Sequence, residues 1–141
     1  MEPTDFPGAE DIIGWFGYWP SFHDSEVISI SLERPGICRV VVKTFEMTRE
    51  IDTNGGYKLV KHATVTFVLE DFPIDRSSGL TPVRIEGFNH QNMLNGIVVT
   101  KTQAGYELML EPVFGVDATI AAARLRAELK PGVDPAPNPK S

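Results

Sequence analysis

Three histidines, His23, His62 and His90, and the acidic pair Asp24 and Glu26 beside the first of them supply nitrogen and oxygen donors of the kind that bind zinc or iron. Their spacing matches no ligand signature. In a strand His23 and Asp24 point to opposite faces, so at most His23 and Ser25 share one, and a metal site would need the chain bent to bring Asp24 round. The competing reading is structural: Asp24 or Ser21 caps a turn through backbone N–H groups, while His23 makes a buried hydrogen bond. Ser21, Ser25, Ser29 and Ser31 lie near His23, but none is flanked by glycines as a nucleophile-elbow serine is. A triad assembled from distant positions stays open. Glu46, Glu50, Glu70, Asp71 and Glu86 could furnish a carboxylate pair of the glycosidase kind, although acidic residues on outward strand positions read first as solvated face. Asn89, Gln91 and Asn92 could hydrogen-bond a ligand or a partner, or stitch a sheet corner, which is the preferred reading. Trp15, Tyr18 and Trp19 form an aromatic cluster expected in the core, with Trp19 beside Pro20 able to rim a pocket or anchor a partner.

The elements that must position these residues are mostly strands. Residues 8–16 read as a short helix, with Ile12, Ile13 and Phe16 on one side, Glu10 and Asp11 in the first turn, and Gly17 as a left-handed cap. After Pro20 the period changes to two. Ile28, Ile30 and Leu32 alternate with Ser29, Ser31 and Glu33, the pattern of a strand with one face buried. Pro35-Gly36 turns the chain into a β-branched run over 37–48, and Asn54-Gly55 then gives the strongest short hairpin signal. With these two as the central pair, Met47 lies opposite His62, and the hairpin returns over 57–70. Gly55-Gly56 is therefore a turn and not a phosphate loop, since no helix opens after it. Residues 73–82 read as a polar loop, 83–88 as a short strand, and 94–101 with 106–112 as a second hairpin. Residues 118–129 fit two patterns. Ala118, Ala121, Ala122, Leu125 and Leu129 share a helical face, whereas Ala123, Leu125, Ala127 and Leu129 alternate with Arg124, Arg126, Glu128 and Lys130 as a strand does.

At 141 residues, 42% of them hydrophobic, the chain suits one core, placed over residues 1–130. Residues 131–141, with four prolines, are expected to form a disordered tail. A formal net charge of −6 argues against nucleic acid and suits a basic protein partner or simple solubility. The single cysteine, Cys38, excludes an intramolecular disulfide and a multi-cysteine zinc site, and it is expected in a strand as a small apolar residue. With no signal-peptide pattern at the start and no apolar run of about 20 residues, the expectation is a cytoplasmic protein without a membrane segment.

Four phrases in order, Trp19-Pro20-Ser21-Phe22-His23-Asp24-Ser25-Glu26-Val27, Phe45-Glu46-Met47-Thr48, Lys61-His62 and Phe88-Asn89-His90-Gln91-Asn92, resemble the immunity protein 50 family of predicted bacterial polymorphic-toxin immunity proteins. The likeness covers about residues 12 to 130, and the Trp-Pro-Ser-Phe-His-Asp phrase is its most specific part. It implies a mostly β (α+β) fold: an antiparallel sheet or sandwich built from long hairpins, with a short N-terminal helix. It also favours a strand over 118–129, with helix as the alternative. It implies a protein that occludes a cognate protein toxin without catalysis, so no catalytic residue and no cofactor is carried over. The alternatives are a small enzyme or metal-binding protein centred on His23, Asp24 and His62, and a non-catalytic ligand-binding domain. The residues expected to meet a partner or ligand are Trp19, His23, Asp24, Glu46, Glu50, His62, Asn89, Gln91 and Asn92. Glu46 and Glu50, which share a face in a regular strand, are the expected steering groups toward a basic toxin.

Overall fold

The computed structural model describes residues 5–51, 53, 55–73 and 82–132. One helix, α1 (Ala9–Phe16), precedes eight strands: β1 (Glu26–Glu33), β2 (Ile37–Ile51), β3 (Tyr57–Glu70), β4 (Val83–Glu86), β5 (Met93–Thr102), β6 (Gly105–Phe114), β7 (Asp117–Ala122) and β8 (Arg124–Pro131). All pairings are antiparallel, in the order β4-β7-β6-β5-β1-β2-β3-β8. The protein is thus mostly β with a short N-terminal helix. The expected loop over 73–82 falls largely outside the described residues. Pro131, expected to open the tail, instead ends β8 opposite Ala63, and residues 133–141 lie outside the described residues.

The β2–β3 hairpin is the spine. From Ile37 opposite Glu70 to Thr44 opposite Ala63 the register is continuous, and alternate residues Cys38, Val40, Val42 and Thr44 are buried together with Ala63, Val65, Phe67 and Leu69. Beyond that point the expected register fails: Met47 faces Leu59 and not His62. The cause is local irregularity. The register shifts between Thr44 and Glu46 and again between Met47 and Ile51, and Lys61 takes a left-handed φ of 53°. Turn chemistry at Gly55, whose φ is 85°, could not reveal bulges farther along the strands. Asn54 lies outside the described residues.

Residues 118–129 are strand, but they are two strands. Ala118, Ile120 and Ala122 are buried on β7, and the buried set then changes phase to Leu125 and Ala127 on β8. Ala123 absorbs the change at a corner, where its N–H donates to the carbonyl of Asp71 at 2.8 Å. The charged half of the alternation is used as well. Arg124 and Arg126 both reach Glu70 at 3.3 Å across the β3–β8 pair, which a helix would not offer them.

Helix α1 closes one end of the core with Ala9, Ile12 and Phe16. Gly8, with φ 92°, passes so close to β8 that a Cβ would lie 1.8 Å from the Ala127 carbonyl oxygen, and the N–H of Ala127 donates to the Pro7 carbonyl at 2.8 Å. The segment before the helix therefore covers the outer edge of β8. Gly17, with φ 87°, ends the helix by donating its N–H to the Ile13 carbonyl. The last turn contains no basic residue, and the cation comes from β3: Lys61 Nζ sits 3.2 Å from the Phe16 carbonyl.

β1 departs from its expected burial. Val27 is 2% exposed, but Ile28 is 49% and Leu32 55% exposed. Ile30 and Leu32 lie opposite Val40 and Cys38, both fully buried, so they share the core-facing side of the sheet. Ile30 packs against the core and Leu32 is exposed, while a register shift between Val27 and Ser29 takes Ile28 out of the alternation and leaves Val27 as the buried residue. Tyr18 also departs from the expected aromatic core: it is exposed, whereas Trp19 packs edge-on between Phe6 and Phe22 with ring centroids 5.8 and 5.7 Å away.

Candidate functional site

The phrase at residues 19–27 is the joint between β1 and β5. Phe22 and Asp24 both have left-handed backbone, with φ of 61° and 63°, and the turn closes by a bond from the Ser25 N–H to the Phe22 carbonyl at 3.1 Å. Asp24 N–H then donates to the Leu94 carbonyl, Leu94 N–H to the Ser25 carbonyl, and Val27 N–H to the Asn92 carbonyl. Ser25, fully buried, donates its hydroxyl to Thr44 at 2.7 Å and ties the joint to β2. Of the two expected caps, Ser21 fills the role, its hydroxyl accepting the His23 N–H at 3.2 Å. Two expectations about His23 and Asp24 are corrected. The His23 side chain is 56% exposed, its Nδ1 lying 3.3 Å from the Asn95 carbonyl and its Nε2 3.5 Å from Asp24 Oδ1, so it makes no buried bond. Asp24 contributes its backbone to the joint and turns its side chain outward.

Outward from this joint lies a groove of about 760 Å³. Asp24, Glu26 and Met93 form one wall, Lys43 and Phe45 of β2 the middle, and Leu59, His62 and Thr64 of β3 the far side. The register explains this assembly. Met93, Glu26, Lys43 and Thr64 are successive cross-strand partners across β5, β1, β2 and β3, so their side chains share one face. The Phe45 and His62 rings meet at 5.9 Å, and Gly132 N–H donates to the His62 carbonyl as β8 ends over this position. Asp24 and His62 thus meet in one groove as candidate site residues, without His23. Among the described residues no group of three or more His, Cys, Asp or Glu side chains is gathered closely enough to hold a metal ion.

The remaining candidates separate. Glu46 is a structural residue: it accepts the Tyr18 hydroxyl at 2.9 Å and pairs with Lys61 at 3.4 Å, and its side chain is 23% exposed. Partial desolvation of the hydroxyl, and after it the Glu46 carboxylate, push Tyr18 above its ordinary pKa. Glu50 is exposed, and the register shift after Met47 removes the regular strand in which it would share a face with Glu46. Trp19 is half-buried in the aromatic cluster, with its indole nitrogen enclosed and unpartnered among the described residues. Asn92, 2% exposed, stitches a corner. Its Oδ1 accepts the N–H groups of Asn89 at 3.0 Å and Val116 at 3.1 Å, and its Nδ2 donates to the Asn89 carbonyl at 2.7 Å. Asn89 bonds within the same turn, through Gly87 O and Gln91 N, and the Gln91 side chain is exposed. The Cys38 thiol is fully buried, which raises its pKa to about 11.

Sequence reasoning missed Lys43, Leu59, Thr64 and Met93 as lining residues. The signal that would have found them is the cross-strand register, which the bulges hide. No family model, no curated protein and no solved structure matches the chain. No helix among the described residues is long and apolar enough to cross a membrane.

Proposed function

We propose that this protein is a partner-binding inhibitor of the immunity kind, which occludes a basic protein toxin by receiving one of its cationic side chains in the groove beside the β1–β5 joint. One observation carries the reading. Asp24 and Glu26 come from the first of the four phrases that resemble the immunity family, Phe45 from the second and His62 from the third, and these separate pieces converge on a single groove, with Met93 directly after the fourth. The groove joins the apolar side chains of Phe45, Leu59 and Met93 to the carboxylates of Asp24 and Glu26, which outnumber the one cation, Lys43, opposite Glu26 on β2. The net charge of −6 favours encounter with a basic partner.

The test is association with the product of the adjacent gene at two salt concentrations. Glu26→Lys should slow association by roughly tenfold, and Phe45→Ala should mainly speed dissociation. Added salt should slow wild-type association, because exposed charges are screened beyond about 8 Å at physiological ionic strength. Absence of any binding would remove the immunity reading, whereas tight binding indifferent to salt and to Glu26→Lys would keep the role and discard the electrostatic contact. A second reading, a small-ligand or metal site, is favoured by the meeting of Asp24 and His62. Metal analysis of untagged protein, and ligand-induced shifts of the His62 ring resonances, would detect it.

A further inference from the structure

The two strands of the spine outrun the rest of the sheet. β1 pairs with β2 no farther than Lys43, and β8 reaches β3 no farther than His62, so among the described residues 45–51 and 57–61 pair only with each other. They form a two-stranded arm, an arrangement that is marginal on its own. Its foot is braced on one face by helix α1 and the turn after it: Trp15 Nε1 donates to the Lys61 carbonyl at 3.0 Å, Lys61 Nζ to the Phe16 carbonyl, and the Tyr18 hydroxyl to Glu46. The other face is apolar. Met47 pairs with Leu59, and Tyr57 stands two residues before Leu59 on β3, so these three side chains share the face opposite to that of Glu46. Leu59 lines the groove, while Met47 and Tyr57 are about half exposed beyond it. The opposite end of the groove continues in the same way: Met93 is the cross-strand partner of Phe114 on β6, which is also about half exposed.

We infer, on the basis of the groove's proposed role as the seat of a partner's cationic side chain, that the docking surface is one stripe running from Phe114 across the groove to Met47 and Tyr57 on the arm. Its occupant is a protein that presents a basic side chain within an apolar patch of its own. Size supports the extension: ten residues line the groove, whereas a stable protein interface takes about 20–30 residues a side. Charge selects the occupant. Asp24 and Glu26 outnumber Lys43 at the centre of the stripe and the chain carries −6 overall, so a basic protein is complementary and a second copy of this acidic chain is not. The bracing by α1 holds the foot of the arm in place before binding, which removes part of the ordering cost that a free ribbon would carry into the complex.

Rate constants for binding of the adjacent gene's product test the inference. Met47→Ser, Tyr57→Ser and Phe114→Ser should each weaken binding about tenfold, chiefly through faster dissociation. Leu32→Ser, which removes an exposed apolar side chain away from the stripe, should leave binding unchanged. The strands at the two ends, β6 and β3, are four strand spacings apart, on the order of 19 Å, so Met47→Ser combined with Phe114→Ser should multiply to about 100-fold. All four side chains are exposed, so the urea midpoint of each variant should stay at the wild-type value. If the three serine variants bound like wild type while Glu26→Lys slowed association, the stripe would be overturned and the groove would keep its role. No binding at all would overturn both. Self-association of wild type that Met47→Ser abolishes would assign the arm to a second copy and overturn a basic protein as its occupant.

Discussion

Replacing Asn92 by alanine decides between a structural and a ligand-binding role for the Asn89-His90-Gln91-Asn92 cluster. The side chain makes three hydrogen bonds, two accepted from Asn89 and Val116 and one donated to Asn89, and the Val116 N–H is buried. Truncation removes all three and leaves that donor without its acceptor. At about 1 kcal/mol net for each bond, the loss is about 3 kcal/mol, with room for more from the stranded donor. For a chain of this size that corresponds to a fall in Tm of roughly 10 °C. Asn92→Asp keeps both accepted bonds but sets a carboxylate oxygen against the Asn89 carbonyl and buries a charge, so at neutral pH it should cost at least as much as alanine. Urea unfolding followed by tryptophan fluorescence, with Tm as a cross-check, measures both. If Asn92→Ala stayed within about 0.5 kcal/mol of wild type, the stitching argument would be wrong and a contact role would take its place.

Three further outcomes follow from single side chains. Asp24 holds φ 63°, which alanine adopts at a cost of about 1 kcal/mol and glycine adopts freely, so Asp24→Ala should destabilise and Asp24→Gly should not; equal losses would mean that the carboxylate matters and the backbone does not. Tyr18 has its pKa raised by partial desolvation of its hydroxyl and by Glu46, so between its ordinary and its raised value the folded chain keeps a proton that the unfolded chain has released. Stability should therefore fall as pH rises through that alkaline window, and a Tyr18→Phe variant that loses just as much there would refute the assignment. Cys38, buried and with its thiol raised to about 11, should react with a thiol reagent at pH 8 only as fast as the chain opens, and prompt labelling of native protein would contradict its placement.

The fold was legible where period and turn chemistry agree. The helix with its Gly17 cap, both hairpins and the change from period near four to period two all follow from residue spacing. The second half of the chain was harder. Alanine-rich residues 118–129 have helical propensity, and the strand wins because Leu125 and Ala127 bury one side of β8 while Arg124 and Arg126 find Glu70 on the other. The site was legible only in part. Asp24 and His62 could be named as types able to do chemistry, but their meeting depends on the register of β2 against β3, and two bulges and the left-handed Lys61 change that register without a sequence mark. Glu46 illustrates the same limit. As a strand residue it read as free surface, and only the fold brings Tyr18 and Lys61 to it.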